Sequence, residues 1–220
     1  MIRRDYVLRM IEQFFALLRR VLHLREERRL EEALALVRQG YRSFLAMDDA
    51  FVDARSAREL LELVDAQVIQ PEQLAMAARF LREEADLLES LELPDEARRR
   101  RGKALSLALA LTDEAEDLER FTADLDPLLE QASEGLNLDE RRLVFRRHVR
   151  KGRFARAEDE LFQIAEAAPA DDPIFDEGEA FYARLGAVSE ERLIEGGLTG
   201  SEAAEGLADF KPLRSRRQGL

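Results

Sequence analysis

Gly152-Arg153-Phe154-Ala155-Arg156-Ala157-Glu158-Asp159-Glu160-Leu161-Phe162-Gln163-Ile164 is the stretch on which the fold turns. It opens with a helix-breaking glycine and continues with Ala157, Leu161 and Ile164 at helical spacing. A helix is therefore predicted from Arg156 to Ala167, and a preceding one from Asp139 to Lys151. Two prolines, Pro169 and Pro173, mark the next turn.

The same period recurs outward in both directions. Tyr6 to Leu24 reads as an amphipathic helix with Asp5 as its N-cap, and a second helix runs from Glu26 to Met47, ended by Asp48 and Asp49. A short helix follows Ser56, and Pro71 opens one that reaches Ser90. Pro94 and Asp95 start the next, with Ala97, Ala104, Leu105, Ala108 and Leu111 as its stripe. Another uses Leu118, Phe121, Leu125, Leu128 and Leu129, and is kinked or restarted at Pro127. Gly135–Asn137 breaks the chain. Beyond Pro173, short helices are predicted over Asp176–Leu185, Ser189–Glu195 and Ser201–Phe210. No segment alternates with period two, so strands are not expected. Residues 1–210 read as one all-helical domain, and 211–220 as a flexible basic tail without pattern.

Helices of about 12–20 residues with short turns suggest antiparallel hairpins, and Leu138–Pro169 resembles a tetratricopeptide repeat (TPR). That resemblance implies that Gly152 ends the first helix, Phe154 packs into the hairpin, Ala157 permits close approach and Pro169 closes the repeat. Phe145 and His148 depart from it, standing where the repeat has a small residue and an aromatic. A weaker copy, Leu74–Leu111, matches at Ala85, Leu88, Ala97, Ala104 and Leu105 but lacks the turn glycine and final proline. Over residues 1–210 the chain also resembles a bacterial family of TPR-like proteins of unknown function. The residues that carry this are Asp5-Tyr6-Val7-Leu8-Arg9-Met10-Ile11-Glu12-Gln13-Phe14, the hairpin Gly152 to Asp159, and Phe181-Tyr182 through Glu205-Gly206-Leu207. The resemblance implies an interaction-type protein and brings no catalytic residues. The expected fold is all-α: antiparallel helical hairpins stacked as a TPR-like bundle or short irregular solenoid.

Composition narrows the chemistry. The 220 residues include no Cys, no Trp and 2 His, which excludes disulfide scaffolds, cysteine-based zinc sites and thiol catalysis. A formal charge of −12 argues against a general nucleic-acid binder. The charge is uneven: residues 1–30 and 211–220 each carry +4, leaving −20 between them. His23 follows Arg19 and Arg20 on a polar face, poor company for a metal ligand, and His148 lies at the edge of an apolar one. The acidic run Asp113-Glu114-Ala115-Glu116-Asp117 lacks the glycine and alternating oxygens of a calcium loop. Gly196-Gly197-Leu198-Thr199-Gly200-Ser201 precedes a helix and could hold an anion, but no cation follows within that helix, and a plain turn capped by Ser201 is preferred. No cofactor and no metal are expected.

Two features remain as partner-binding candidates. The first helix presents an apolar arc about 200° wide where ~100° covers one core face; packing between two layers would use it all, and otherwise Phe14, Phe15 and Leu18 are left to meet a partner or a second copy as a homodimer. Four consecutive arginines, Arg98 to Arg101, point around a whole helix, which places Arg101 on the inward stripe. It either pairs internally with Glu83, Glu84 or Asp86 or lines a groove for a partner's carboxylate. The N-terminal segment is interrupted by Arg9, Glu12, Arg19 and Arg20, unlike a secretory signal, and the default location is the cytoplasm. The reading is a non-enzymatic protein–protein interaction or adaptor module with an unidentified protein partner. The alternatives are a peripheral membrane protein using the first helix, which Glu12 and Gln13 disfavour, and an enzyme with an unrecognised carboxylate site.

Overall fold

The computed structural model describes residues 2–122, 125–132 and 135–218, with side chains for these except 2–8, 132 and 216–218. Thirteen α-helices occur among them: α1 Ile2–Glu26, α2 Leu30–Leu45, α3 Asp49–Ala54, α4 Ala57–Asp65, α5 Pro71–Ser90, α6 Pro94–Glu114 and α7 Glu119–Thr122, then α8 Asp126–Ala132, α9 Leu138–Arg150, α10 Phe154–Ala167, α11 Ile174–Leu185, α12 Glu190–Glu195 and α13 Gly200–Gln218. A 3-10 turn, Glu116–Leu118, precedes α7. No strand occurs among the described residues. The chain divides into two compact units, Met1–Gly135 and Leu136–Leu220. Where the sequence reading treated 1–210 as one domain, the division falls at the expected Gly135–Asn137 break.

Five helix ends close in one way. At Arg28, Gln67, Glu92, Gly152 and Gly197 the backbone turns into the left-handed region, with φ from 56° to 86°. In each, the next residue donates its N–H to the carbonyl five residues earlier, as Leu93 to Leu88 and Arg153 to His148, both at 2.9 Å. This closure satisfies carbonyls that a helix end leaves without partners. Glu92 therefore performs at the α5–α6 turn what Gly152 performs at the α9–α10 turn, at a steric cost that glycine avoids.

In the first unit α5 is central. Twelve of its twenty residues are buried, more than one face supplies, because α2 and α6 pack against different sides of it. Gln73 fixes its start: its side-chain oxygen accepts from Gln70 N–H at 3.0 Å, and its amide donates to the Phe44 carbonyl at the end of α2 at 2.7 Å. Gly40 on α2 makes room for Phe80, whose Cζ would stand 2.7 Å from any Cβ there. Phe14 lies fully buried in a phenyl cluster with Phe80, Phe44 and Phe121, at centroid distances of 5.3, 5.8 and 6.2 Å.

In the second unit α9 and α10 form an antiparallel hairpin, tied by Arg141 to Glu160 (3.1 Å) and Gln163 (2.7 Å). Phe145 packs edge-on against Phe181 at 5.6 Å. Phe210 of α13 meets Phe162, Phe175 and Tyr182. Gly178 permits that approach, since a Cβ there would collide with the Phe210 ring.

Several local expectations are corrected. Asp48 does not simply end a helix; its carboxylate caps α3 by accepting from Phe51 N–H at 2.8 Å, after Ala46 has turned the chain at φ 55°. The first break falls at Arg28, and α1 begins at Ile2, so Asp5 lies inside the helix and is not its cap. The side chains of Tyr6, Val7 and Leu8 lie outside the described residues. Residues 211–218 are not a pattern-free tail. They continue α13 because Leu213 packs against the core and Arg214 pairs with Asp176 at 2.7 Å. Arg216 and Arg217 side chains lie outside the described residues.

Phe14→Ala removes the centre of the phenyl cluster. It is expected to cost about 3 to 5 kcal/mol in urea-induced unfolding; an unchanged midpoint would place Phe14 outside the core.

Candidate functional site

Two groups of ionisable side chains stand out, one in each unit. The first is a row of carboxylates on α5. Glu83 is met by Arg79 at 2.7 Å and Arg25 at 3.4 Å, and Asp86 by Arg25 at 3.0 Å and Arg101 at 3.5 Å. Glu89 also receives Arg101. Glu84, fully buried, accepts from the Tyr41 hydroxyl at 3.1 Å and faces Arg100 at 3.4 Å and Arg38 at 3.8 Å. Burial pushes the Glu84 carboxyl above its ordinary value, against the opposing pull of Arg100. Burial first, and the Glu84 charge second, push the Tyr41 hydroxyl up as well.

Arg101 is therefore internally engaged. Its partners are Asp86, one of the three expected, and Glu89, which lies one turn beyond the expected set; Glu83 and Glu84 are met by other arginines. Arg100 was missed by the sequence reading because its partners, Asp53 and Glu84, come from α3 and α5, and α3 was not foreseen. Lys103 accompanies it, donating to the Val52 and Asp53 carbonyls at 2.9 Å each at the end of α3. Burial lowers its pKa.

The first-helix candidates separate. Phe14 and Leu18 are core residues, whereas Phe15 is half-buried and stacks on Phe121 at 6.4 Å. The wide apolar arc is thus largely consumed within the unit, leaving Ile11, Phe15, Leu17 and Leu22 half-buried. No helix among the described residues is long and apolar enough to cross a membrane.

The second group lies in the C-terminal unit. A cavity of about 390 Å³ opens between α11, α12 and α13, and its apolar wall includes Tyr182, Leu185, Val188, Leu193, Ala203 and Leu207. Glu190 and Gly200 complete one end. The Tyr182 hydroxyl donates to Glu158 of α10 at 2.6 Å. Gly206 leaves space for this pair, because a Cβ there would stand 2.8 Å from the Tyr182 oxygen and strike the Glu158 carboxylate. Burial pushes the Glu158 carboxyl up, and the charges of Asp159 and Glu202 push it further against the Tyr182 hydrogen bond. Tyr182 is driven well above its ordinary value, chiefly by burial and then by its bond to Glu158.

The glycine-rich turn supplies the other end. Thr199, not Ser201, caps α13: its hydroxyl accepts from Glu202 N–H at 3.2 Å, and the Glu202 carboxylate accepts from Thr199 N–H at 2.7 Å. The Thr199 N–H and, at 2.8 Å, the Thr199 hydroxyl both donate to the Glu202 carboxylate and hold that carboxyl low. The free N–H of Gly200, a potential anion donor, points at the Glu190 carboxylate with both oxygens at 3.2 Å. The chain thus provides its own anion there.

The histidines divide. His23 is exposed, 3.3 Å from Glu27, and His148 is buried on α9 rather than at an edge. Among the described residues no group of three His, Cys, Asp or Glu side chains is placed to hold a metal ion. What the geometry defines is an all-helical protein with an arginine-clamped core in one unit and an open, largely apolar groove in the other. The chain belongs to a family of unknown function, DUF6483, which matches residues 1–215. No curated protein and no solved structure matches it.

Two measurements check these assignments. Arg100→Met leaves the fully buried Glu84 without its nearest cation and is expected to cost about 3 to 5 kcal/mol. Arg101→Met leaves carboxylates that water reaches (31% and 60% side-chain exposure) and is expected to cost about 1 kcal/mol. Equal losses in chemical denaturation would reject this ranking. For Glu158, a raised folded-state pKa means that the folded chain binds the proton more tightly than the unfolded chain. Its contribution to stability therefore falls as pH rises from the ordinary value of 4.5 through the raised one. Glu158→Gln is expected to be more stable than the native chain at pH 7, with the two converging on acidification; a constant difference across that range would refute the assignment.

Proposed function

We propose that the chain is a non-enzymatic protein-interaction module, an adaptor that offers the groove between α11, α12 and α13 to a partner. The observation that carries this is the groove itself: open, walled by aliphatic side chains and the Tyr182 ring, and of a size typical of binding pockets. An enzyme would need ionisable groups converging on it with roles to play. Tyr182 instead gives its proton to Glu158 in a hydrogen bond and is driven to a pKa that makes it a poor acid at neutral pH. The other strongly desolvated carboxylate, Glu84, lies in the other unit among arginines.

The finer part of the proposal is that the hairpins are TPR-like. Support comes from the α9–α10 pair, with Gly152 in the left-handed turn and Ala157 buried, and from the same closure at the α5–α6 turn. Helical hairpins of that kind present surfaces suited to peptides or helices. The bacterial cytoplasm is part of the same reading, resting on the sequence resemblance and on the default for a strongly charged chain.

Affinity capture with the native chain and with Ala204→Arg, followed by mass spectrometry, tests the proposal. Ala204 is an exposed residue of the groove, so an arginine there blocks it without entering the core. Proteins recovered reproducibly by the native bait and lost with Ala204→Arg are expected. Recovery of no protein that depends on the open groove would sink the adaptor reading.

A further inference from the structure

Arg25, Arg38, Arg79, Arg100 and Arg101 each meet a carboxylate of α5. Lys103, three residues along α6 from Arg100, pairs with no carboxylate among the described residues. Both of its hydrogen bonds, at 2.9 Å each, go to neutral groups, the Val52 and Asp53 carbonyls at the end of α3. Asp53 of α3, Glu59 of α4 and Glu84 of α5 act on it only from beyond ion-pair distance, and Arg100 on its own helix opposes a positive charge there. Burial is the largest influence and pushes the Lys103 pKa down, as Arg100 does, against the three acids.

The bonding geometry suits the uncharged amine. An ammonium has three N–H groups to satisfy, whereas a neutral amine has two and a lone pair. Two carbonyls use both N–H groups of the amine and leave the lone pair to react. Lys103 is half-buried and its neighbours Asp53 and Glu59 are exposed, so a small reagent reaches this end of α3 from water.

We propose that Lys103 is an acylation site, at which an activated short-chain acyl donor modifies Nζ and releases the end of α3. The donor is an acyl phosphate or an acyl thioester, which carry the same electrophilic carbonyl. The Nζ lone pair attacks that carbon and forms an amide bond. The bond to the phosphate oxygen or the sulfur breaks, its electron pair leaves with the phosphate or thiolate, and Nζ gives one proton to water. The amide keeps one N–H where the amine had two, so the Val52 and Asp53 carbonyls no longer both have a donor. α3 is six residues long, and the last carbonyls of a helix lack partners within it, so its end leans on this lysine. The site lies in the first unit and is independent of the groove in the second.

The test incubates the full chain with limiting acetyl phosphate and, in a second arm, with the acetyl thioester of N-acetylcysteamine. Peptide mass spectrometry follows acetylation at Lys103, Lys151 and Lys211. Lys103 is expected to react faster than the other two at pH 8 in at least one arm, and that arm identifies the donor. Its rate is expected to reach half of its plateau below pH 10.5, the ordinary lysine value. Lys103→Arg keeps a cation at the end of α3 and is expected to lose only the Lys103 share of the label. After acetylation the native chain is expected to lose hydrogen-exchange protection over Asp49–Ala54, while Lys103→Arg treated in the same way keeps it. Faster reaction of another lysine in both arms, a half-plateau at or above pH 10.5, or equal protection of α3 in the two acetylated chains would each overturn the proposal.

Discussion

Taking a carboxylate out of water constrains this protein more than any other single interaction. An unpaired buried charge is destabilising by several kcal/mol, so α5, which is both the central helix of the first unit and the carrier of Glu83, Glu84, Asp86 and Glu89, can pack only with cations at hand. Arg25 from α1, Arg38 from α2 and Arg100 and Arg101 from α6 supply them. The neighbouring helices are thereby held in register along α5, because sliding one turn would separate a guanidinium from its acid. Apolar burial supplies the bulk of the stability and the ion pairs supply the alignment. Arginine suits that task, since it keeps its charge when buried and offers five donors in a fixed fork.

Much of the helical framework was legible. Apolar period, proline at first helical positions and the cap at Ser56 mark α4, α5 and α6 from residues alone. The failures have a common physical origin: the deciding contact was distant in sequence or used an unsuited residue. α3 is six residues long, too short for a period to show, and its end is fixed by Lys103, fifty residues away. Three of the five left-handed closures use Arg28, Gln67 and Glu92, where the rule of thumb looks for glycine. Arg101 was placed on the correct face and Asp86 among its partners, but Glu89, one turn further along α5, was not foreseen. The helical continuation past Phe210 depends on Asp176, which sequence pattern cannot connect with Arg214.

The groove was beyond sequence reading for a related reason. Its lining comes from residues 182 to 207, spread over α11, α12 and α13, and no single residue of it announces a cavity. Of the residues that carried the family resemblance, Tyr182 and Leu207 line it, and Glu158, Tyr182 and Gly206 meet one another. Gly206 illustrates why a short motif can be legible while its meaning is not. It is a helical glycine with an ordinary φ, so no turn requires it; the close passage of Glu158 and Tyr182 does. Glycine inside a helix is otherwise unfavourable by about 1 kcal/mol relative to alanine. The fold accepts that weakness in exchange for the carboxylate–phenol pair of Glu158 and Tyr182.

The uneven charge now has a structural meaning. The chain holds 31 arginines, and Arg100 and Arg101 on α6 and Arg25 at the end of α1 are turned into internal pairs. Even the basic end is partly drawn in, through Arg214 and Asp176. Cations used inside no longer reach outward, so the excess of acid stays at the surface. In the second unit the contrast is local: Glu158 has a phenol where the α5 acids have guanidinium groups.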